Sequence, residues 1–401
     1  MSILTTPLGA GASPAGGRRH AHAHGRQTAM RHLDVSLVAA LGSIALVGLV
    51  MVYSASRKKL ADAGIDPLFY VKRQAVFLCL GAVLLTIAAS VDYRRWRDLA
   101  PFVYGAMCLL LIGVVSPLGA KSKGHQAWFP LGTFQLQPSE MSKIALILCL
   151  AAFAGWSGRS ARNSDGEESL PLPKLVALLL IAGVPMGLIM LQPDLGTDLV
   201  FAAILFAVLV VAGTRGRHLV ALAAMAVVGV VAVLQLGILQ QYQVNRLTAF
   251  LDPKGDARNI TYNITQSKTA IGAGALTGRG LFHGTQTNLA YVPEQHTDFI
   301  FTAVGEQLGF VGSALLLCLF GFVVWRIWRA AMLARDRAGT LICVGVLALI
   351  VFQVFENVGM TMGIMPIAGI PLPFVSYGGS AVMAYSVGMG LVLNVHMRRF
   401  S

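Results

Sequence analysis

The stretch VSLVAALGSIALVGLVMVYSA (35–55) is apolar along its length and contains no charged residue. A helix of about 20 such residues spans the roughly 30 Å hydrocarbon core of a bilayer. A strand of a membrane barrel would instead alternate apolar and polar residues. Because backbone polar groups in lipid must be satisfied internally, the stretch is predicted to be a transmembrane helix.

Similar runs recur to the end of the chain. The 401 residues are 56% hydrophobic and 12% charged, whereas a soluble domain carries roughly 25% charged residues. The mean hydropathy of +0.69 agrees with this deficit of charge. We therefore predict an all-α, polytopic membrane protein. The ten predicted helices lie near 35–55, 73–91, 100–116, 138–157, 172–191, 197–213, 218–236, 298–328, 338–364 and 374–396.

One transmembrane domain is predicted over 35–401, with no sign of a second, soluble domain. The segment 1–34 is rich in Gly, Ala, Pro, Arg and His, a composition typical of a disordered basic tail. The five cysteines sit inside apolar runs without CxxC spacing, which favours small membrane hydrophobes over a disulfide or metal framework.

The distribution of Lys and Arg predicts the orientation. Most basic residues of the short loops fall on the side of the two termini, which are therefore expected to be cytoplasmic. The first outer loop, with a basic cluster over 57–73, is the exception. On this topology the long segment 237–297, between the seventh and eighth helices, is extracytoplasmic. The net charge of +13 is spread over short loops, which argues against a nucleic-acid partner.

Ionisable residues at membrane depth are costly and are functional candidates by default. Glu140 and Lys143 are three residues apart and can neutralise each other on one helix face. They either hold neighbouring helices together or form the polar floor of a substrate cavity. Asp194, in LQPDLGTD, lies where Pro193 and Gly196 interrupt a helix, so it is either a helix cap or a substrate ligand.

Asp298, in PEQHTDFIF, lies where the long segment meets the eighth helix. A partly desolvated carboxylate at such an interface becomes a better proton acceptor, which suits a general base. The alternative is a residue of the helix N-terminus, stabilised by the helix dipole. His296, two residues earlier, is included as a substrate-binding candidate.

Two segments predict irregular backbone. IGAGALTGRGLFHGTQ (271–286) is rich in glycine and carries Arg279, and glycine-rich loops can bring backbone N–H groups to a phosphate. It lacks Walker spacing, so the indication is weak. The prolines and glycines of PIAGIPLPFVSYGGS (366–380) predict non-helical backbone that lines a cavity or is buried in protein.

Taken together, these segments resemble the SEDS family of bacterial shape, elongation, division and sporulation proteins. The resemblance covers nearly the whole chain after the tail and is greater to the RodA (elongation) branch than to the FtsW (division) branch. The motifs that carry it are VMVYSAS (50–56), QPSEMSK (137–143), QPDLGT (192–197), QSKTAIGAGALTGRG (266–280), GTQTNLAYVPEQHTDFIF (284–301), GEQLGFVG (305–312) and NVGMTMGIMPIAGIPLPFVSYGGS (357–380).

The resemblance implies a peptidoglycan glycosyltransferase of the bacterial cytoplasmic membrane. Such proteins polymerise lipid II, a disaccharide-pentapeptide on undecaprenyl pyrophosphate, into glycan strands. The implied partners are the nascent strand, a class B penicillin-binding protein that crosslinks it, the elongation machinery and membrane lipids.

The family's essential aspartate maps onto Asp298, and its polar cavity residues map onto Glu140, Lys143 and Asp194. Two positions depart from the family pattern. Ala127 and Gln295 stand where many relatives carry arginine.

The reaction implied is an inverting transfer, which needs a base for the attacking hydroxyl and positive charge for the leaving pyrophosphate. We expect Asp298 to be the base. The candidates for the positive charge are Arg246, Lys268, Arg279 or a bound divalent cation (Mg or Mn).

Other functions fit parts of the same pattern. Ten helices with broken segments and buried charges also suit a lipid II flippase or another transporter. A non-catalytic scaffold for the transpeptidase is a second alternative, and a division member of the same family is a third.

Overall fold

The computed structural model describes residues 32–117, 119–122, 125–132, 134–155, 161–162, 168–235 and 258–400. Most of the predicted tail and Arg246 lie outside these ranges. The helices are α1 (Val35–Asp62), α2 (Phe69–Ser90), α3 (Tyr93–Val115), α4 (Pro138–Gly155), α5 (Leu172–Met190), α6 (Leu195–Val211), α7 (Gly216–Gln235), α8 (Arg258–Ala273), α9 (Thr285–Asn288), α10 (Ile300–Met332), α11 (Arg337–Met362) and α12 (Gly379–Met397). The strands are β1 (Ala120–Ser122), β2 (His125–Leu131), β3 (Phe134–Leu136), β4 (Ala161–Arg162) and β5 (Glu168–Ser169).

The all-α, polytopic prediction is confirmed, and each of the ten predicted helices is present. In the described part of the chain, eight helices are long and apolar enough to span a membrane, and α6 and α7 contain shorter apolar segments. Helix ends differ where a helix continues into charged residues. α3 begins at Tyr93 rather than near 100 because the Asp92 side chain caps it by accepting a hydrogen bond from Arg94 N. Hydropathy marks only the apolar part of such a helix.

The short elements between α3 and α4 were not predicted. β1, β2 and β3 form an antiparallel sheet in that order, with Ala120 opposite Trp128 and Phe129 opposite Leu136. Strands of three to seven residues are too short to show a clear alternation of polarity. The sheet carries Ala127 and Trp128 to the mouth of a cavity.

Small residues let the enclosed helices α4, α11 and α12 approach their neighbours. A Cβ at Gly345 of α11 would lie 2.7 Å from Ile147 of α4. A Cβ at Gly390 of α12 would lie 2.5 Å from the carbonyl oxygen of Leu85 in α2. Close backbone approach of this kind drives helix association in lipid, where apolar surface alone gives no preference for protein neighbours.

An ion pair joins the first helix to the tenth. Asp34 caps α1 by accepting from Leu37 N, and it accepts from Arg326 Nε of α10 at 2.8 Å. Burial raises the pKa of Asp34, but hydrogen bonds from Ser36 and Arg326 outweigh burial and hold that pKa below its ordinary value.

The glycine-rich segment after α8 packs against a break in α10. Gly309 has φ 65° and ψ −163°, and around it Phe310 N donates to Ala275 O at 2.9 Å. Arg279 N donates to Glu306 O at 3.0 Å. A Cβ at Gly309 would lie 2.2 Å from Gly278 N. These glycines therefore permit a close contact between two backbones.

Candidate active site

A cavity of about 770 Å³ lies among the N-terminal ends of α4, α6 and α12, the segment 366–371 that follows α11 and the turn before α10. It is bounded on one side by α2 and on another by the β2–β3 hairpin. Its lining includes Tyr70, Arg73, Ala127, Trp128, Glu140, Lys143, Asp194, His296, Asp298, Ile370, Tyr377 and Ser380.

Asp298 lies in the wall of this cavity, in a turn that ends one residue before the N-cap of α10. The helix begins at Ile300 rather than at 298, so Asp298 is not a first-turn residue. Its carbonyl oxygen accepts a hydrogen bond from Asn357 Nδ2 at 2.7 Å. Asn357 Nδ2 also donates to Ile370 O at 2.8 Å, which ties two walls of the cavity to α11.

His296 is held between two tyrosines. The ring centroids of His296 and Tyr70 are 4.4 Å apart, and those of His296 and Tyr377 are 5.8 Å apart. Tyr377 N donates to His296 O at 2.9 Å. Burial raises the pKa of the Tyr377 hydroxyl, and the nearby Arg73 guanidinium offsets part of that rise. Tyr377 is therefore a neutral hydrogen-bonding group at neutral pH.

Glu140 and Lys143 form a buried ion pair in the same cavity. Lys143 Nζ lies 2.6 Å from Glu140 Oε1, and the two side chains are 1% and 5% exposed. The predicted neutralisation on one helix face is confirmed. Glu140 Oε2 is buried and has no hydrogen-bond partner within the described residues.

Asp194 is a helix cap, one of the two roles that the sequence left open, and its role as a substrate ligand stays a prediction. It caps α6 by accepting from Thr197 N at 3.0 Å and from Thr197 Oγ1 at 2.8 Å, and it lines the cavity. Gln137 Nε2 donates to Asp194 Oδ2 at 3.3 Å. A Cβ at Gly196 would lie 2.5 Å from Ala368 O, so the helix break also brings α6 against the segment 366–371.

Two of the three cations chosen from the sequence, Lys268 and Arg279, are not among the described residues that line the cavity. Lys268 is exposed on α8 and lies near Gly363. Arg279 is exposed, and its Nε donates to Ala273 O at 3.1 Å. A place in the long loop or in the glycine-rich stretch was a poor guide because both side chains are exposed away from the cavity lining.

Arg73, which the sequence analysis did not select, lies in the cavity wall. Its guanidinium carbon is 4.6 Å from the centroid of the Phe69 ring, and it lies beside Tyr377. Lys59, at the end of α1, also lines the cavity. The sequence did contain an indication of these two cations. They belong to the basic cluster over 57–73, which was the exception to the distribution of Lys and Arg that predicted the orientation.

The two positions that depart from the family pattern are both buried. Ala127 is in the cavity wall. Gln295 Nε2 donates to Thr287 Oγ1 at 3.1 Å and to Thr302 Oγ1 at 3.0 Å. At these two positions the chain therefore provides no positive charge.

The donor set does not fit a metal held by protein alone. Within the described ranges, no three His, Cys, Asp or Glu side chains are grouped closely enough to hold a metal ion. The cavity instead combines four carboxylates (Glu140, Asp194, Glu294 and Asp298), three cationic side chains (Lys59, Arg73 and Lys143) and an aromatic wall. That combination suits proton transfer next to a polyanionic group.

Comparison with known proteins gives a family match over almost the whole chain. The model of the FtsW, RodA and SpoVE family, described as "Cell cycle protein", matches residues 34–400. "Peptidoglycan glycosyltransferase MrdB" of Escherichia coli (strain K12) is 36% identical over 92% of this chain and 94% of its own length. "Stage V sporulation protein E" of Bacillus subtilis (strain 168) is 35% identical over 90% and 96%.

Solved structures agree with these matches. One chain comes from work described as "Structural coordination of polymerization and crosslinking by a peptidoglycan synthase complex". It superposes with a TM-score of 0.76 at 33% identity, over 92% of this chain and 99% of that chain. The rod shape determining protein RodA of Thermus thermophilus superposes with a TM-score of 0.66 at 32% identity, over 92% and 98%.

Proposed function

This chain belongs to the FtsW, RodA and SpoVE family, and we propose that it polymerises lipid II with Asp298 as the general base. It is a peptidoglycan glycosyltransferase, as are relatives that share 36% of its residues. One observation carries the residue-level proposal. Asp298 lies in the wall of a polar cavity that also contains Arg73 and Lys143.

The proposed step begins with two lipid-linked sugars in the cavity. The C4 hydroxyl of the acceptor GlcNAc attacks C1 of the donor MurNAc, and Asp298 takes the hydroxyl proton. The bond from C1 to the pyrophosphate oxygen breaks on the opposite face, so the α-linked donor becomes a β-linked product. Positioned general-base catalysis supplies roughly 10²–10⁴ in rate. The products are a longer glycan strand and undecaprenyl pyrophosphate.

Arg73 is the proposed ligand of the leaving pyrophosphate, in place of Lys268 and Arg279. A guanidinium presents a planar fork of donors that matches phosphate oxygens. Lys59 adds a second positive charge to the same cavity. Lys143 is paired with Glu140, so its field is partly neutralised, and we assign that pair to sugar or peptide groups. Asp194 and His296 complete the proposed substrate-binding set.

A divalent cation (Mg or Mn) remains a prediction. The described side chains offer no cluster of ligands for it, so a bound cation would depend mainly on the pyrophosphate oxygens of the substrate. No step of the proposed reaction is assigned to it.

The chain is a multi-pass membrane protein, and we assign its cavity to the extracytoplasmic face with both termini cytoplasmic. The distribution of Lys and Arg supports this orientation. Polyprenyl chains would lie between helices, where each buried CH₂ contributes about 0.8 kcal/mol. Lipid II would therefore enter sideways from the membrane.

A class B penicillin-binding protein is the proposed partner. The structural neighbour from a peptidoglycan synthase complex, described as coordinating polymerization and crosslinking, supports a crosslinking partner. We also propose a role in elongation rather than division, supported by the RodA structural neighbours. Depletion of an elongation enzyme would round the cells, whereas depletion of a division enzyme would produce filaments.

The decisive experiment is glycan synthesis from lipid II by the purified protein in detergent, with and without its transpeptidase. A transporter has no membrane to cross in detergent and would release no glycan. Asp298→Asn should lower polymerisation by roughly 10²–10⁴. Asp66→Asn, an exposed carboxylate paired with Lys72 outside the cavity lining, is the control and should retain full activity. Full activity of Asp298→Asn would remove the base assignment.

A further inference from the structure

The carboxylate of Glu306, in the second turn of α10, is completely buried. Its Oε1 accepts from Gln286 N at 2.7 Å, and its Oε2 accepts from Thr287 N at 2.9 Å and from Thr287 Oγ1 at 2.7 Å. A Cβ at Gly284 would lie 2.6 Å from this carboxylate. Glu306 therefore fixes the short helix α9 against α10.

The Thr287 hydroxyl connects Glu306 to Gln295. A hydroxyl has one hydrogen to donate, and Thr287 donates it to Glu306, so Thr287 accepts the hydrogen bond from Gln295 Nε2. Thr302 Oγ1 likewise donates to Phe299 O at 2.6 Å and accepts from the same nitrogen. Both amide hydrogens of Gln295 are thus used. A flipped amide would set its oxygen against two hydroxyls that have no hydrogen left.

Gln295 is in the same tight turn as Asp298. Glu294, at the start of the turn, has φ 51°, and its carbonyl oxygen accepts from Thr297 N at 3.1 Å and from Phe299 N at 3.4 Å. Because these bonds make the turn rigid, a constraint on the side chain of Gln295 is transmitted to Asp298. Asn357 holds the Asp298 carbonyl from another helix.

We propose that Glu306, Thr287 and Gln295 form a hydrogen-bonded relay of positioning residues that sets the place of Asp298 in the cavity. None of these three side chains is among the described residues that line the cavity. The relay therefore acts on catalysis through the turn and without touching substrate. This inference rests on the proposed role of Asp298 as the base.

The size of the effect follows from the geometry of proton transfer. A catalytic group displaced by about 1 Å can lose about 10²-fold in rate. Breaking the relay should therefore lower kcat by roughly ten- to 100-fold. KM should change less than kcat, because Arg73, Glu140, Lys143 and Asp194 lie outside the turn and only His296 of the proposed substrate-binding set belongs to it.

The test compares Thr287→Val with Thr287→Ser in polymerisation of lipid II by the purified protein. Valine keeps the shape of threonine without the hydroxyl, whereas serine keeps the hydroxyl. We expect Thr287→Val to lower kcat by roughly ten- to 100-fold with a smaller change in KM, and Thr287→Ser to stay close to wild type. Gln295→Glu places an acceptor opposite the hydroxyls of Thr287 and Thr302. The double variant Thr287→Val, Gln295→Glu should have a kcat no lower than that of the more impaired single variant.

Thermal unfolding is measured for each variant, and kcat and KM are compared only among variants that fold. If Thr287→Val does not fold, Gln295→Glu replaces it and the same kcat and KM criteria apply. Equal activity of Thr287→Val and Thr287→Ser would overturn the relay, as would a loss confined to KM. Asp298→Asn is measured alongside. If it is inactive while Thr287→Val is unaffected, only the relay fails; if it is active, the base assignment fails as well.

Discussion

At the scale of single residues, the cavity contains side chains of both charges, and each has different contacts. Glu140 and Lys143 neutralise each other while buried, Asp194 is engaged as a helix cap, and Arg73 lies at the wall beside an aromatic ring. Asp298 enters from a turn and is held through its backbone. Because its backbone is held from another helix, Asp298 has a fixed place in the cavity wall, which supports the proposal that it is the base.

Arg73 should be required for release of the pyrophosphate. Arg73→Ala removes a positive charge from the cavity and should lower kcat by about 10²-fold, the usual effect of removing one donor to a developing anion. Arg73→Lys keeps the charge without the planar fork and should recover part of the activity.

The matched control for Arg73 is the adjacent Lys72→Ala. Lys72 is exposed, pairs with Asp66 and is not among the residues that line the cavity. The measurement is steady-state release of undecaprenyl pyrophosphate from lipid II. Equal rates for Arg73→Ala and Lys72→Ala would contradict the assignment.

The Glu140–Lys143 pair predicts an unusual order of stabilities. Glu140→Ala leaves the ammonium of Lys143 buried without its partner, and breaking one side of a buried pair costs about 3–5 kcal/mol. The double variant Glu140→Ala, Lys143→Ala removes both charges and should be more stable than the single variant. Thermal unfolding in detergent measures the difference, and equal stabilities would argue against pairing.

At the scale of elements, the irregular segments hold the site together. The glycine-rich segment after α8 lies against the break in α10, and α9 is fixed by Glu306. The segment 366–371 is tied to the turn of Asp298 by Asn357. The helices thus supply a scaffold, and the non-helical connections between them supply most of the cavity wall.

Substitution of two glycines of α10, Gly309 and Gly321, tests the contact between α10 and the segment 274–280. Gly309 has a φ and ψ combination that is essentially restricted to glycine. Gly309→Ala should lower the free energy of unfolding by about 1–3 kcal/mol from backbone strain alone, with further loss from the contact at Gly278. Gly321→Ala has open space around it and should be neutral or slightly stabilising.

Thermal unfolding and polymerisation are measured for both glycine variants. The contact between α10 and the segment 274–280 is adjacent to Glu306, so Gly309→Ala should also lower activity. If Gly309→Ala were as stable as Gly321→Ala, the contact between the two backbones would contribute nothing to the free energy of unfolding.

At the scale of the whole molecule, the orientation in the membrane determines which pool of substrate the cavity meets. The cavity lies at one end of the helix bundle, and the loop between α10 and α11 lies at the other end of those helices. Thr277 and Arg335 are exposed residues near these opposite ends. A reagent that does not cross the membrane can therefore distinguish the two orientations.

Single cysteines at these positions, in a chain whose five native cysteines are replaced, test the proposed topology. Thr277→Cys should react with an impermeant maleimide in intact cells from which any outer barrier has been removed. Arg335→Cys should react only after the cells are permeabilised. The reverse pattern would place Asp298 on the cytosolic side, away from the substrate pool that the reaction needs.

The amino-acid sequence was enough to predict ten apolar helices and the place of Asp298 at the junction of a loop and a helix. Insertion of a segment into lipid depends mainly on the apolar residues within that segment, so ten helices could be predicted from ten runs. The pairing of Glu140 with Lys143 was predictable for a similar reason, since a spacing of three along a helix fixes their proximity.

Which distant residues share the cavity depends on how the helices pack in the folded bundle. Arg73 joined the wall, while Lys268 and Arg279 lay elsewhere, and Gln295 turned into the protein. Helices in lipid pack through close backbone contacts and polar bonds, with no general hydrophobic force between them to reveal their neighbours in the sequence. The choice of cavity residues is therefore a property of the assembled bundle.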